Sequence, residues 1–181
     1  MSGLLFLTSE DFHITKSAKG NIMCTNIPGF SLILFYSTQC EHCQLLIPIF
    51  KLLPGNVGGC QFGMINVNQN KSCIIMSKDT IAEIKVVPYI ILYINGKPYM
   101  RYQGPHVQEE ITRFVIEVSE KVQNLSSFTK KEKEKEKQII PGIKDVIKKE
   151  DIPAYTIGKP LFGQEWQHVC YLDFNEAYNN A

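Results

Sequence analysis

The chain has 181 residues, of which 44% are hydrophobic, and its formal net charge at pH 7 is +1. This length is enough for one ordinary domain and an appendage, and the small net charge gives no reason to expect a nucleic-acid or acidic partner. The sequence has no run of 18 apolar residues, so we expect no membrane-spanning helix.

The N-terminus and the cysteine count favour a cytoplasmic location. Residues 1–13 have no basic segment, and their apolar run of about five residues is too short for a secretory signal. Six cysteines in 181 residues are too sparse for a disulfide scaffold. We therefore expect mostly reduced thiols, apart from any pair that cycles between thiol and disulfide.

The first part of the chain predicts two strands with a helix between them. Residues 3–7 form a short apolar strand. Residues 8–11 (Thr-Ser-Glu-Asp) supply an N-cap and an acidic first turn for a helix through about Lys16. Residues 17–29 are rich in turn-forming types and predict a loop. Residues 30–36 are almost entirely apolar, β-branched or aromatic, which is typical of a central strand covered on both faces.

The following elements complete an α/β domain over residues 1–126. A helix from about Cys40 to Leu53 contains Pro48, which should kink it. Asn95-Gly96 is a hairpin signal between two strands. Further strands are predicted over 61–67, 88–94 and 97–103, and further helices over 72–84 and 107–125, the last with an apolar stripe of Val107, Ile111, Phe114, Val115 and Val118.

The rest of the chain has two different compositions. Residues 127–137, which include an alternating Lys/Glu run, predict a charged linker or a solvated helix. Residues 138–181 hold too little apolar material for a core of their own but are too aromatic for a typical disordered tail. We interpret them as an extended C-terminal arm that docks on its own domain or on a partner, with residues 160–163 and Trp166 as the docking candidates.

Two cysteines open the first long helix, in the motif Cys40-Glu41-His42-Cys43. The helix N-terminus presents unpaired N–H groups and the positive end of the dipole, and both favour a thiolate, which is the nucleophile. Cys40 would attack a substrate disulfide and Cys43 would resolve the mixed disulfide. His42 can stabilise the thiolate, whereas Glu41 opposes it.

Other roles for the cysteines remain open. A zinc site would need two more ligands, and the candidates Cys60, Cys73, His13, His106 and Cys170 include no second close pair. The pair could also be an inert remnant. We expect Cys24, Cys60 and Cys73 to be small buried hydrophobes, and Cys170 to be a thiol in the arm that could pair with a partner's cysteine.

Several motifs together resemble one family. Residues 35–48 (FYSTQCEHCQLLIP) resemble the active-site strand and helix of thioredoxins and protein disulfide isomerase domains, with Pro48 as the family's helix-kinking proline. Residues 86–96 look like the family's cis-proline segment and hairpin, and Gly104 also matches. The resemblance covers residues 1–125, and thioredoxin-like proteins carried by large DNA viruses share this layout.

The resemblance implies a thioredoxin fold, with a central mixed sheet flanked by helices, followed by the extended C-terminal arm. It also implies that the Val87–Pro88 bond is cis and that Pro88 lies against the two sulfurs. In the family this loop blocks metal binding and presents backbone to the substrate. Two positions depart from the family, since Gln39 replaces a Trp and Leu34 replaces a buried acid thought to relay protons.

These observations predict a thiol–disulfide oxidoreductase that acts on protein cysteines through Cys40 and Cys43, supported by Glu41, His42, Val87 and Pro88, without a cofactor or a metal. The alternative is a thioredoxin-fold structural or assembly component of a large complex, such as a viral particle, docked through residues 138–181. The substrate, the direction of electron flow, the recycling partner and the oligomeric state have no signature in the sequence.

Overall fold

A computed structural model of the chain describes residues 3–135 and two short strands beyond them. The elements in chain order are β1 (Leu4–Phe6), β2 (Phe12–Ser17), β3 (Gly20–Thr25), β4 (Phe30–Tyr36), α1 (Glu41–Lys51), β5 (Cys60–Asn66), α2 (Lys71–Lys78), β6 (Val86–Val87), β7 (Tyr89–Ile94), β8 (Lys97–Tyr102), α3 (Gln108–Lys135), β9 (Gly158–Lys159) and β10 (Cys170–Tyr171). No helix of the described part has both the length and the apolar character needed to cross a membrane.

The described strands form one large mixed sheet and two small ones. The large sheet has the order β1-β5-β4-β7-β8-β9. Its β1 and β4 run parallel to β5, whereas the β4–β7, β7–β8 and β8–β9 pairs are antiparallel. The small sheets pair β2 with β3 and β10 with β6. The predicted central mixed sheet flanked by helices is therefore confirmed.

The central strand β4 packs on both of its faces. Its residues Leu32 and Leu34 belong to a buried cluster that includes apolar residues of α1 and α3. Its residues Ile33 and Phe35 belong to a second cluster, which includes residues of α2 and of β2–β3. All four side chains have 0% exposure, as expected from successive strand residues that point to opposite faces. The prediction of a strand covered on both faces is confirmed.

The predicted helix over residues 8–16 and the predicted loop over 17–29 are wrong. Thr8 and Asp11 do form a capping box, but it encloses only a single 3₁₀ turn, Ser9–Asp11. Phe12 is extended at the end of that turn, and residues 12–17 then pair as β2 with β3. The reason is tertiary, because Phe12 is buried against Phe35 with ring centroids 5.6 Å apart.

Two predicted helices have different bounds in the structure. The predicted helix over 72–84 ends at Lys78, where the Ser77 hydroxyl donates to the Ile74 carbonyl and accepts the Ile84 N–H, which turns the chain away. The last helix continues to Lys135, so residues 127–135 are helical. Its predicted apolar stripe is buried except for Val107, which precedes the helix and is 42% exposed.

The Asn95-Gly96 turn joins β7 to β8 as predicted. Both residues have positive φ angles, 49° and 76°, and this combination matches the twist of a two-residue hairpin. Gly96 also lies tightly against Thr25, since a Cβ atom placed on it would lie 2.1 Å from the Thr25 carbonyl oxygen.

Most of the predicted C-terminal arm, including residues 160–163 and Trp166, lies outside the described residues. The described parts are β9 and β10, and both pair with strands of the preceding domain.

Candidate active site

A tight turn places Cys40 at the start of α1. The Ser37 hydroxyl accepts the Gln39 N–H at 3.1 Å, and the Ser37 carbonyl accepts the Cys40 N–H at 3.3 Å. The Gln44 side chain donates to the Thr38 carbonyl at 2.9 Å, which ties the first turn of the helix back to the loop. These bonds connect the end of β4 to α1 and hold the Cys40 backbone in place.

The Cys40 sulfur caps the helix that it begins. Cys40 is the N-cap residue of α1, and its Sγ accepts the Cys43 N–H at 3.3 Å. This N–H is one of the helix donors that have no partner within the helix. The Cys40 side chain therefore supplies the hydrogen-bond acceptor that this N–H lacks within the helix.

Cys43 and the Val87–Pro88 segment both lie next to Cys40. Cys43 has 0% exposure and lies in the same buried cluster as Cys40 and Val87. The Cys40 thiol donates to the Val87 carbonyl oxygen across 3.7 Å. The Val87–Pro88 bond is cis, which confirms that expectation. The structure therefore brings Cys40, Cys43 and Val87 together from two separate parts of the sequence.

The two residues between the cysteines lie on the first turn of α1. Glu41 is exposed and His42 is half-buried. Cys40 itself is only 2% exposed, so its sulfur is almost inaccessible from outside the protein.

The other described cysteines are buried, as predicted. Cys24, Cys60 and Cys73 are 4%, 3% and 0% exposed. Burial raises the pKa of Cys73 to about 12, and burial, partly offset by a backbone hydrogen bond with Leu32, raises the pKa of Cys60 to about 12. Both thiols therefore stay protonated at neutral pH and are poor nucleophiles.

The described residues include no group of three or more His, Cys, Asp or Glu side chains arranged to hold a metal ion.

Sequence reasoning missed the residues that position the reactive cysteine. Ser37 is 1% exposed, and both its hydroxyl and its carbonyl accept hydrogen bonds from the loop that precedes α1. The sequence feature that could have indicated this role is a serine in the turn before a helix, where its hydroxyl can accept a nearby backbone N–H.

The comparisons with known proteins agree with this fold. Residues 21–117, more than half of the chain, match the family model described as Thioredoxin. The chain is 32% identical to "Uncharacterized protein 196R" of Invertebrate iridescent virus 6, over 100% of this chain and 97% of that protein. It is 28% identical to "Protein disulfide-isomerase like 2-2" of Arabidopsis thaliana, over 64% of this chain and 23% of that protein.

Among solved structures, the N21Q mutant thioredoxin of Halobacterium salinarum has a TM-score of 0.45 with 16% identity, over 62% of this chain and 88% of the other. The sequence matches confirm the predicted resemblance, including its extension to large DNA viruses, and support thiol–disulfide oxidoreduction at the level of the family. This chain belongs to the thioredoxin family.

Proposed function

We propose that the chain is a dithiol–disulfide oxidoreductase that acts on protein cysteines, with Cys40 as the attacking thiol and Cys43 as the resolving thiol. One observation carries the proposal: Cys40 Sγ caps α1, accepts the Cys43 N–H at 3.3 Å and lies 3.7 Å from the Val87 carbonyl oxygen. The N–H at the helix N-terminus is a donor that can stabilise a nucleophilic sulfur, and the Val87 carbonyl oxygen marks the place where the backbone of a peptide can approach it.

The reaction needs two exchanges and no cofactor. The Cys40 thiolate attacks one sulfur of a substrate disulfide, so that a mixed disulfide forms and the first substrate thiolate leaves. Cys43 then attacks the Cys40 sulfur, which closes the Cys40–Cys43 disulfide and releases the second substrate thiolate. The substrate gains two electrons and the protein loses two, so an external dithiol must restore the reduced pair for a second turnover.

The surroundings of the pair support separate roles for its two members. Cys40 is at the tip of the helix, whereas Cys43 is one turn further in and has 0% exposure. Only the first can meet a substrate once the site opens. The family's buried acid is absent at Leu34, which is fully buried and cannot ionise, so another group must accept the Cys43 proton.

The comparisons do not favour the alternative role as a structural component of an assembly. Location in the cytoplasm or in a viral particle, docking of residues 138–181 and the division into residues 1–126, 127–137 and 138–181 stay predictions.

Insulin reduction with dithiothreitol as the electron donor tests the proposal. We expect the full chain to accelerate insulin precipitation and the Cys40→Ser variant to lose this acceleration. Cys60→Ser is the matched control, because Cys60 is a buried cysteine in the cluster on the other face of the sheet, and it should keep the activity. Full activity in Cys40→Ser, or no acceleration by any variant of the chain in which Cys40 and Cys43 are both intact, would refute the proposal.

A further inference from the structure

A short strand near the C-terminus, β10, pairs with a strand at the candidate active site. β10 pairs antiparallel with β6, with Cys170 opposite Val87 and Tyr171 opposite Val86. Val87 is the residue whose carbonyl oxygen lies 3.7 Å from Cys40 Sγ. A cysteine of the same chain thus occupies the backbone position across from the residue that contacts the reactive sulfur.

The other short strand of the C-terminal region, β9, also pairs with the domain. β9 adds to the β8 edge of the large sheet, with Lys159 opposite Arg101 and Gly158 opposite Tyr102. Residues 160–169 connect this pairing to β10. A segment tethered in this way has an effective concentration on the order of millimolar at its site, so it competes strongly with any external peptide.

The register places Cys170 next to the candidate site. Opposite residues of an antiparallel pair have Cα atoms about 4.5–5.5 Å apart, which is one strand spacing. Cys170 is thus one strand spacing from the residue that contacts Cys40 Sγ. Cys40 is meanwhile only 2% exposed, as expected for a site that is already occupied.

We propose that β10 is an internal ligand of the redox site and that Cys170 is a third exchanging thiol, which attacks Cys40. The inference rests on the proposed function. In the oxidised protein the Cys170 thiolate attacks the Cys40 sulfur, the Cys40–Cys170 bond forms, the Cys40–Cys43 bond breaks and Cys43 leaves as a thiolate. No external electrons are needed, and the reverse exchange restores the starting disulfide. The site is thereby closed to substrates until β10 leaves β6.

The test uses the full-length Cys43→Ser variant and glutathione disulfide. Cys40 displaces one glutathione to form a mixed disulfide, and Cys170 then displaces the second to form the Cys40–Cys170 disulfide. Peptide mapping by mass spectrometry without reduction should find Cys40 linked to Cys170 in most of the protein. Cys40 that remains joined to glutathione, with Cys170 as a thiol, would overturn the inference.

A second substitution separates strand pairing from the mere presence of a thiol. Tyr171→Pro, added to Cys43→Ser, keeps Cys170 but removes a backbone N–H and disfavours the strand. It should abolish the Cys40–Cys170 link and leave the glutathione adduct. The matched control, Tyr178→Pro in the same background, changes the chain outside β10 and should keep the link. Persistence of the link in Tyr171→Pro would also overturn the inference.

The insulin assay keeps this inference distinct from the proposed function. Wild-type activity together with an unlinked Cys170 would refute only the role of Cys170. Inactivity of both the wild type and the single Tyr171→Pro variant, in which β10 no longer covers the site, would refute the oxidoreductase, whereas activity in Tyr171→Pro alone would show that β10 blocks the site.

Discussion

The free energy of unfolding should fall in alkaline solution because of a buried cysteine on α2. Cys73 on α2 is completely buried, and this burial raises its pKa from the ordinary value of 9.0 to about 12. Between pH 9 and pH 12 the unfolded chain loses the Cys73 proton while the folded chain keeps it. The free energy of unfolding therefore decreases by as much as about 1.4 kcal/mol per pH unit in this window.

The stabilisation of the folded chain by the neutral Cys73 thiol depends on pH. It is fully present below pH 9 and is lost as the pH rises towards 12, because the pKa of Cys73 is higher in the folded chain than in the unfolded chain. A change from pH 8 to pH 10 crosses about one unit of the window, so Cys73 alone should lower the free energy of unfolding by roughly 1.4 kcal/mol. Its neighbour Tyr93 stays protonated in the folded chain, because burial foremost raises its pKa well above 10.

The measurement is urea unfolding, followed by far-ultraviolet circular dichroism, at pH 8 and at pH 10. The wild type should lose about 1.4 kcal/mol more than Cys73→Ala over this interval. The control Ile74→Val, at the next buried position of α2, should lower stability by about 0.5–1.5 kcal/mol at both pH values and leave the pH dependence unchanged. An equal loss in wild type and Cys73→Ala would show that the thiol of Cys73 is not held neutral by burial.

Two further predictions concern Gly96 and Cys60. Gly96→Ala should cost roughly 2–5 kcal/mol, since alanine at a positive φ costs about 1–2 kcal/mol and its Cβ would lie 2.1 Å from the Thr25 carbonyl oxygen. Gly29→Ala, also at a positive φ but with no atom within 4 Å of its Cβ, should cost only about 1–2 kcal/mol; equal costs in urea unfolding would contradict the close contact. At pH 8 the raised pKa of Cys60, about 12, should make its alkylation by iodoacetamide about 1000-fold slower in the folded chain than in urea, and rates within tenfold of each other would argue against a buried thiol.

The parts of the fold with a strong local pattern were predictable. The sequence of residues 30–36 predicted a strand that is buried on both faces. Alternate residues of this strand pack in the two different buried clusters, so nearly every position is apolar. The start of α1 at Cys40 and the Asn95-Gly96 turn also depend on nearby residues alone. That the two cysteines and the Val87–Pro88 segment meet was implied by the family resemblance and does not follow from these local patterns.

The elements that depend on distant contacts were not predictable. The Thr8–Asp11 capping box is a true helix-start signal, yet the burial of Phe12 and the pairing of β2 with β3 end the turn after three residues. The pairing of β10 with β6 joins residues that are far apart in sequence. Each of these strands has only two residues, which is too short for a hydrophobic pattern that could select this register. The hydrogen bonds of Ser37 could not be predicted from the sequence, because a serine in a turn has many possible partners.

The proposed redox role depends on a reversible disulfide between Cys40 and Cys43. It can be measured by equilibrating the full chain in glutathione buffers of graded redox potential, quenching with acid and mapping disulfides by mass spectrometry. We expect Cys40 and Cys43 to exchange between thiols and a disulfide within this range, while Cys24, Cys60 and Cys73 stay reduced. Cys40 and Cys43 that stay reduced throughout, or a first disulfide that includes neither of them, would contradict it.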